Sequence, residues 1–474
     1  MLLRQIFDPY LAQYAYLVGC QRTGEALIID PERDIDRYTA LAKENGLRIS
    51  AVTETHIHAD FVSGARELSQ DPSVKLCLSA EGGADWSYGW TGDRPNTKLL
   101  RDGDTFAVGN IEVRALHTPG HTPEHLCFVI TDRGGGASEP VAIATGDFLF
   151  VSDVGRPDLL ETAAGQENVA ASSAEQLLGS LRDRLTTLGD YVQVLPGHGA
   201  GSACGKSLGA IPTSTLGYER RFNSPFKLAI SDGDSFLKAI LQGQPDPPAY
   251  FATMKRVNRD GVAVLGALPV AEHLTPALFS QKAEAPNTFV VDARTDSDAY
   301  ADGHFPKSIS APLRSPFFSA ATGSFLSEQD GILLLVEAGA DVDLAVRQLF
   351  RIGFDNIQGW MTLSEAQAAG LLTEKSRSVP SATFDPAQAL AVGAVIDVRT
   401  SGEHAQAHIP GALSVPYTRL LARLGEVPTG RPLFVHCASG KRAALASSFL
   451  RSRGFDVTHV NGAFSSCNVR LGSC

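Results

Sequence analysis

Four short apolar runs recur in the first half of the chain, and each is followed at once by a polar segment. The runs span residues 49–52, 111–116, 141–144 and 191–195. Apolar runs of this length bounded by turn residues are typical of buried strands. A helical pattern over residues 34–45, closed by Gly46, lies before the first run. The pattern predicts an α/β domain whose strands end in polar loops.

The loops after the four runs carry histidine and aspartate. In chain order they present His56, His58 and Asp60, then His121, then Asp147, then His198. Neutral imidazole and carboxylate are ligands that zinc and ferrous iron prefer. The His-x-His-x-Asp motif alone fits a surface loop equally well. Four strand ends that each present such a side chain, however, are what a metal site on a rigid sheet requires, so we predict a metal centre.

In this order the four motifs resemble those of the metallo-β-lactamase superfamily. The resemblance implies an αβ/βα sandwich fold. The family's first motif usually ends in a further histidine and gives a two-metal site, whereas this chain has Phe61. Because a phenyl ring cannot bind a metal, we expect a single metal.

Within that superfamily the sequence is most similar to the persulfide dioxygenases. The resemblance implies one Fe(II) whose ligands are His56, His121 and Asp147. Two histidines and one carboxylate leave positions open for a substrate thiolate and O₂. His58, Asp60 and His198 are then expected to orient these ligands or to hold water.

Two further residues of this half are candidates for substrate binding. Arg156 stands in a Gly-Arg-x-Asp segment that resembles the persulfide dioxygenases, in which this arginine contacts the carboxylate of the thiol. The alternative is a salt bridge with Asp153 or Asp158. Cys204 follows His198 in a Gly-rich loop, where Lys206 could lower its pKa and allow it to relay sulfur. The alternative there is an unreactive residue in a tight turn.

Composition limits the class of protein. A chain of 474 residues corresponds to about three domains, and we place them at 1–262, 263–376 and 377–474. The net charge of −11 argues against a nucleic-acid partner. No apolar run is long enough for a membrane span, and the N-terminal residues do not form a signal peptide. Seven cysteines without a pairing pattern favour the cytoplasm. We also expect a homo-oligomer.

The last 200 residues contain an internal repeat at a spacing of about 105 residues. Matching segments are 289–295 with 395–400, 303–312 with 407–416, and 349–354 with 450–455. Strands alternating with helices predict a parallel sheet covered on both faces. The Asp-x-Arg and His-Ile-Pro-Gly-Ala blocks make both copies resemble rhodanese domains.

Only the second copy carries a cysteine at the end of its central strand. Cys437 is followed by a loop that ends in Lys441 and Arg442. Backbone N–H groups of such a loop and the helix N-terminus stabilise a thiolate or a persulfide anion, and the two cations suit an anionic acceptor such as sulfite. A protein tyrosine phosphatase would have five residues between cysteine and arginine, whereas this loop has four. The first copy has Glu337 instead, and we expect it to be a scaffold or an interface rather than a sulfurtransferase.

The whole chain resembles bacterial persulfide dioxygenase–sulfurtransferase fusions of sulfide detoxification. The resemblance implies oxidation of a low-molecular-weight thiol persulfide by O₂ to sulfite, and sulfur transfer through Cys437 to sulfite to give thiosulfate. One alternative is a zinc-dependent thioester hydrolase of the glyoxalase II type fused to a sulfurtransferase. Another is a non-catalytic persulfide carrier or sensor.

Overall fold

The computed structural model describes residues 1–92, 94–162 and 169–467. The chain forms two compact units. The first contains Met1–Pro247 and Phe251–Ala267, and the second contains Pro248–Tyr250 and Leu268–Cys474. The domain boundaries after residues 262 and 376 stay predictions. Among the described residues, no helix has the length and apolar character needed to cross a membrane.

The first unit contains twelve described strands and eight described α-helices. The strands are β1 (Leu2–Asp8), β2 (Gln13–Cys20), β3 (Glu25–Ile29), β4 (Arg48–Thr53), β5 (Lys75–Ser79), β6 (Thr97–Leu100), β7 (Thr105–Val108), β8 (Ile111–His117), β9 (Leu126–Asp132), β10 (Ala142–Gly146), β11 (Gln193–Pro196) and β12 (Ser214–Thr215). The helices are α1 (Asp36–Glu44), α2 (Ala65–Leu68), α3 (Leu159–Thr162), α4 (Ala170–Ser180), α5 (Leu216–Phe222), α6 (Ser224–Ser231), α7 (Gly233–Ile240) and α8 (Phe251–Asp260).

Two six-stranded sheets pack face to face in this unit. Their strand orders are β1-β2-β3-β4-β5-β6 and β12-β11-β10-β9-β8-β7. Strand β2 is buried on both sides: Tyr16 and Val18 face the core between the sheets, whereas Ala15 and Leu17 face the layer of α1 and α2. Helices α4, α6 and α7 cover the other sheet. The predicted αβ/βα sandwich is therefore confirmed.

The topology brings the ends of three strands of the second sheet to one edge. Strands β10 and β11 are parallel, and β8 is antiparallel to β9, which is antiparallel to β10. Strands β8, β10 and β11 therefore run in one direction, and the loops after them lie at the same edge. These loops carry His121, Asp147 and His198.

The predicted elements differ from the structure mainly at their ends. The helix predicted over residues 34–45 is α1, which begins at Asp36 and has only Tyr38 and Ala42 buried. Gly46 adopts a left-handed conformation with φ of +67°, which favours glycine just after a helix. The strand predicted from Tyr191 begins two residues later, since Tyr191 is exposed.

The second unit contains two parallel sheets with helices between their strands. Its strands are β13 (Thr288–Asp292), β14 (Ile309–Ser310), β15 (Gly331–Val336), β16 (Ile357–Thr362), β17 (Arg377–Pro380), β18 (Ala394–Asp397), β19 (Leu413–Ser414), β20 (Leu433–His436) and β21 (Val457–Asn461). Its helices are α9 (Pro276–Ala283), α10 (Ser297–Asp302), α11 (Phe317–Phe325), α12 (Val342–Arg351), α13 (Leu363–Ala368), α14 (Pro386–Val392), α15 (Ser401–Gln406) and α16 (Lys441–Ser452). The sheet orders are β14-β13-β15-β16 and β17-β21-β20-β18-β19, which confirms the predicted parallel sheets.

Candidate metal centre and sulfur-transfer loop

The first cluster consists of His56, His121 and Asp147. One ligand atom of each lies within 4.8 Å of the others, and all three side chains are buried. Nε2 of His121 is 3.7 Å from Oδ2 of Asp147. Two imidazoles and one carboxylate oxygen thus lie close together, which is a donor set that a divalent transition metal prefers.

Hydrogen bonds fix the orientation of both histidines in this cluster. Nδ1 of His121 donates to the backbone carbonyl of Arg156 at 3.0 Å, which leaves the Nε2 lone pair for a ligand. Nδ1 of His56 is 3.0 Å from the hydroxyl of Thr55. Burial lowers the pKa of His56 well below its usual value, and the neighbouring His58 adds to this. Both rings therefore offer neutral nitrogen to the cluster.

His58 packs beside His56, with ring centroids 4.1 Å apart, but is not a member of this cluster. Its Nε2 lies 3.2 Å from Oδ1 of Asp30, and its ring packs 4.4 Å from that of Phe61. Burial alone would lower the pKa of His58, but the Asp30 carboxylate outweighs burial and raises it to about 9. His58 therefore positions the loop through Asp30, which also accepts hydrogen bonds from the amide and hydroxyl of Thr55 at 2.6 and 2.9 Å.

A second cluster lies beside the first and consists of Asp60, His198 and Cys204. One ligand atom of each again lies within 4.8 Å of the others. Nε2 of His198 is 3.1 Å from Oδ2 of Asp60 and 3.5 Å from Oδ1 of Asp147. Asp147 thus faces His121 with one carboxylate oxygen and His198 with the other. The inclusion of Cys204 was not predicted, although its position six residues after His198 was the available signal.

Three buried side chains that the sequence did not single out hold the first motif loop in place. Asn258 of α8 donates to the carbonyls of His58 and Phe61 at 2.8 and 2.7 Å and accepts from the amide of Ser63 at 2.9 Å. Glu124 accepts from the amide of Ile57 at 2.7 Å. His125 stacks on His56 with ring centroids 5.2 Å apart. Glu124 and His125 follow the Thr-Pro-Gly-His motif directly, whereas Asn258 gives no local signal.

Arg156 forms the salt bridge with Asp158 that was the alternative to a substrate clamp, and the clamp itself stays a prediction. Its Nε and Nη2 donate to the two carboxylate oxygens of Asp158 at 2.9 and 2.6 Å. Its Nη1 donates to the carbonyls of Ala203 and Pro245 at 2.9 and 2.8 Å. Four of its five N–H groups are committed, and the side chain is buried. The arginine instead ties three loops together behind His121.

Replacing Arg156 should therefore act on stability before it acts on substrate affinity. Arg156→Met leaves the Asp158 carboxylate and two carbonyls without this buried donor, which should lower the free energy of unfolding by about 3–5 kcal/mol. The matched control is Arg133→Met, which breaks the exposed pair with Glu112 and should change stability far less. Urea denaturation measures both. A normally stable Arg156→Met protein with a raised KM for persulfide would instead support the clamp hypothesis.

The predicted activation of Cys204 by Lys206 was wrong. The Lys206 amine donates to the carbonyls of Ala239 and Gln242 at 2.8 and 2.9 Å, away from the thiol. Burial raises the pKa of Cys204 to about 12, and the Asp147 carboxylate adds to this. Cys204 is thus a buried thiol beside acidic groups. Its role in sulfur relay stays a prediction.

The second unit places Cys437 at the end of β20, where the active loop was predicted. Its Sγ is buried and accepts a hydrogen bond from the amide of Gly440 at 3.2 Å. Gly440 has φ of +89°, a conformation that favours glycine, and α16 begins at the next residue. The loop therefore directs the Gly440 amide toward the sulfur, which lies close to the N-terminus of α16.

The two cations after this loop have different environments. Arg442 forms two hydrogen bonds with the Glu403 carboxylate, both of 2.7 Å. Burial would raise the pKa of Glu403, but the bond from Arg442 outweighs it and lowers the pKa to about 2. Lys441 is exposed. An anionic acceptor at the loop would therefore meet a free ammonium at Lys441 and a partly neutralised guanidinium at Arg442.

The first copy of the internal repeat has an acidic loop at the corresponding place. Glu337 follows β15, and Asp341 accepts a hydrogen bond from the amide of Ala338 at 3.2 Å. Arg314 pairs with Asp341 at 2.5 Å. The Asp341 carboxylate thus already accepts a hydrogen bond from one loop amide of this copy. The expectation that it is a scaffold stays a prediction.

Comparison with known proteins finds relatives of the first part of the chain and of its last part. Residues 9–198 match the family model of the metallo-beta-lactamase superfamily. The mitochondrial persulfide dioxygenase ETHE1 of Homo sapiens is 30% identical over 42% of this chain and 68% of its own length. The chain belongs to the metallo-β-lactamase superfamily. A metallo-beta-lactamase structure from Staphylococcus aureus subsp. aureus COL is 37% identical, with a TM-score of 0.67, over 76% of this chain and 99% of that one.

The relatives of this superfamily member include further persulfide dioxygenases. ETHE1 of Bos taurus is 29% identical over 49% of this chain and 78% of its own length. Residues 385–468 match the rhodanese-like domain model. The predicted fusion is confirmed: a metallo-β-lactamase domain with persulfide dioxygenase homologues precedes a C-terminal rhodanese-like domain. This combination is that of an enzyme with a metal-binding His/Asp group.

Proposed function

We propose that the first unit is a persulfide dioxygenase with one Fe(II) held by His56, His121 and Asp147. The observation that carries this proposal is the buried first cluster of two neutral imidazoles and one carboxylate, beside which His58 pairs with Asp30. This donor set fits iron, which in such a triad keeps open positions and supplies the reactivity toward O₂. The relatives named persulfide dioxygenase support the same assignment.

The residues of this chain would contribute orientation and charge to the reaction. The Arg156 carbonyl holds His121, and Thr55 holds His56. Asp60 and His198 adjoin Asp147 and are placed to orient it or to hold water. The overall reaction balances as RSS⁻ + O₂ + H₂O → RSH + SO₃²⁻ + H⁺. The substrate sulfur is oxidised and O₂ is reduced.

We further propose that Cys437 transfers sulfur to the sulfite formed. The Cys437 thiolate takes the outer sulfur of a persulfide and forms a new S–S bond, and the thiol RSH leaves with one proton. Sulfite then attacks the outer sulfur, so that the Cys437 thiolate leaves and thiosulfate forms. The amide of Gly440 and the start of α16 favour the anionic sulfur in each state. Lys441 is placed to attract sulfite.

The proposed reactions define the small molecules that this enzyme would bind. Thiol persulfide, O₂ and sulfite are its small-molecule partners. The six cysteines of the described residues are all free, which fits the predicted cytoplasmic location. The predicted homo-oligomer stays a prediction.

A second candidate function is a two-zinc thioester hydrolase. It is favoured by the second cluster, because Asp60, His198 and the shared Asp147 resemble the second half of a two-metal hydrolase site. Phe61, which lies fully buried at the position where a further histidine would bind, counts against it. The third candidate, a non-catalytic persulfide carrier or sensor, gives the metal-binding residues of the first cluster no role.

The deciding experiment is O₂ consumption by the iron-loaded full chain with a panel of thiol persulfides, with sulfite and thiosulfate quantified. Rapid uptake with these products is the expected result, and the best substrate identifies the thiol. Thioester hydrolysis by the zinc-loaded chain is measured in parallel. The iron content of the sample used for O₂ uptake is verified. If that sample shows no uptake while the zinc-loaded chain hydrolyses a thioester, the proposed function is the hydrolase and not the dioxygenase.

A further inference from the structure

His459 reaches the sulfur-transfer loop from the strand beside it. It lies on β21, which pairs with β20, and its Nε2 is 2.9 Å from the carbonyl oxygen of Gly440. Gly440 is the residue whose amide donates to Sγ of Cys437 at 3.2 Å. A single residue, Gly440, thus links the imidazole to the reactive sulfur.

The surroundings of His459 determine its protonation state and its tautomer. Burial lowers the pKa of His459 to about 4, against the opposing effect of the Gly440 carbonyl. Of the charged neighbours, Arg451 on α16 adds to the lowering and Asp298 on α10 opposes it. The imidazole is therefore neutral at pH 7 and carries one ring proton. Because a carbonyl oxygen can only accept, that proton is on Nε2, which donates to Gly440.

The Gly440 carbonyl receives a second donor from the helix that follows it. The amide of Ala444 donates to this carbonyl at 2.9 Å, within the first turn of α16. In a trans peptide the N–H is antiparallel to the carbonyl, so the N–H of Lys441 points away from Ala444 and toward the start of the helix. Donors on a carbonyl also polarise the peptide and strengthen its N–H as a donor. The two bonds to Gly440 thus fix the direction of a second loop amide and make it a better partner for an anion.

The loop lies directly against the end of β21. A Cβ at Gly440 would come within 2.7 Å of Oδ1 of Asn461, so only glycine allows this approach. Just beyond the strand, the amide of Phe464 donates to the carbonyl of Ala438 at 2.9 Å. The loop is thus held from this side by one backbone bond and by the His459 side chain. Of these two bonds, a side-chain substitution removes only the one that His459 makes.

We infer that His459 is a positioning residue for sulfur transfer, which fixes the Gly440 peptide so that the loop can hold the anionic sulfur of Cys437 as thiolate and as persulfide. The inference rests on the sulfur transfer proposed for Cys437 and adds to it a residue outside the loop. In this role His459 acts through Gly440 and keeps its proton throughout the transfer. Loss of the Nε2 donor should therefore make the Cys437 thiolate less stable without removing any group that reacts.

The pH dependence of Cys437 alkylation by iodoacetamide tests this inference in the full chain. Peptide mass spectrometry separates Cys437 from the other cysteines, and the midpoint of the rate profile gives the pKa of its thiol. His459→Phe should raise this midpoint by about 0.5–1 pH unit, because the anion loses part of its hydrogen-bond support. His459→Gln has an amide nitrogen whose reach is similar to that of Nε2, and it should stay within about 0.3 pH unit of the parent.

Thiosulfate formation from a thiol persulfide and added sulfite, measured without O₂, is the second readout. We expect His459→Phe to lower kcat by about fivefold to tenfold and His459→Gln to restore most of it. The matched control is His408→Phe in the same domain, which removes a bond between Nδ1 and the carbonyl of His404 that does not involve the loop. This control should keep the parent midpoint and the parent kcat.

A further variant keeps the test decisive if the phenyl ring disturbs folding, which circular dichroism reports. His459→Ala removes the donor without adding volume, and the same shift of the midpoint is expected. The inference is overturned by an unchanged midpoint in a folded variant without the donor, or by a His459→Gln midpoint that shifts as far as that of His459→Phe. A parent chain that forms no thiosulfate contradicts the proposed sulfur transfer instead, and the alkylation midpoints then decide whether His459 positions the loop.

Discussion

Asp147→Ala is expected to abolish O₂ uptake and to remove the metal of the first cluster. The substitution deletes the only carboxylate of that cluster, and two imidazoles alone bind a divalent metal far more weakly. Because the three ligands act as a unit, we expect the O₂ uptake rate to fall by on the order of 10³-fold or more. Metal analysis and oxygen-electrode measurements on the same samples check this.

Two comparisons make the Asp147 result specific. Sulfur transfer from thiosulfate or persulfide through Cys437 should continue in Asp147→Ala, since that loop belongs to the second unit. The surface variant Asp132→Ala removes a carboxylate that pairs with the N-terminal amine, far from any strand-end loop of the site, and should keep O₂ uptake. O₂ uptake that persists in Asp147→Ala would contradict the assignment of Asp147 as a metal ligand.

Cys437→Ser is expected to separate the two reactions. Serine cannot accept a sulfane sulfur to form a persulfide, so thiosulfate formation should fall by roughly 10³-fold or more while O₂ uptake continues. Sulfite should accumulate in place of thiosulfate. Ion chromatography of the products during O₂ consumption measures both anions.

The control for this substitution comes from the same domain. Cys467 is partly buried and packs against the apolar cluster that includes Phe384 and Val395. Cys467→Ser should leave thiosulfate formation near the parent level. Unchanged thiosulfate output from Cys437→Ser would mean that another group transfers the sulfur.

The sequence predicted those parts of the site whose signal is local. His56, His121, Asp147 and His198 each lie within four residues of the end of a strand, so the order of apolar runs and polar loops was enough to locate them. The structure brings all four together, as that order predicted. Cys437 was found for the same reason, because a strand leads directly into its loop.

Interactions between distant segments could not be predicted in this way. The bond of Arg156 to Asp158 was one of the alternatives that the sequence offered, whereas its bonds to the carbonyls of residues 203 and 245 had no local signal. His58 has the motif spacing of a metal ligand, but its Nε2 pairs with the carboxylate of Asp30, which lies 28 residues earlier in the chain. Cys204 joins Asp60 only because two loops 144 residues apart meet.

The bonds of Asn258 determine how much of the chain is needed for a working metal loop. Asn258 contacts the loop backbone at His58, Phe61 and Ser63 from a helix about 200 residues away. Just beyond that helix, the amides of Leu265 and Gly266 donate to Glu67 at 3.0 and 3.1 Å. A fragment cut at the end of the family match, residue 198, would therefore contain every histidine and aspartate of both clusters but lack the support that fixes their first loop. The smallest autonomous oxygenase should extend to about residue 267.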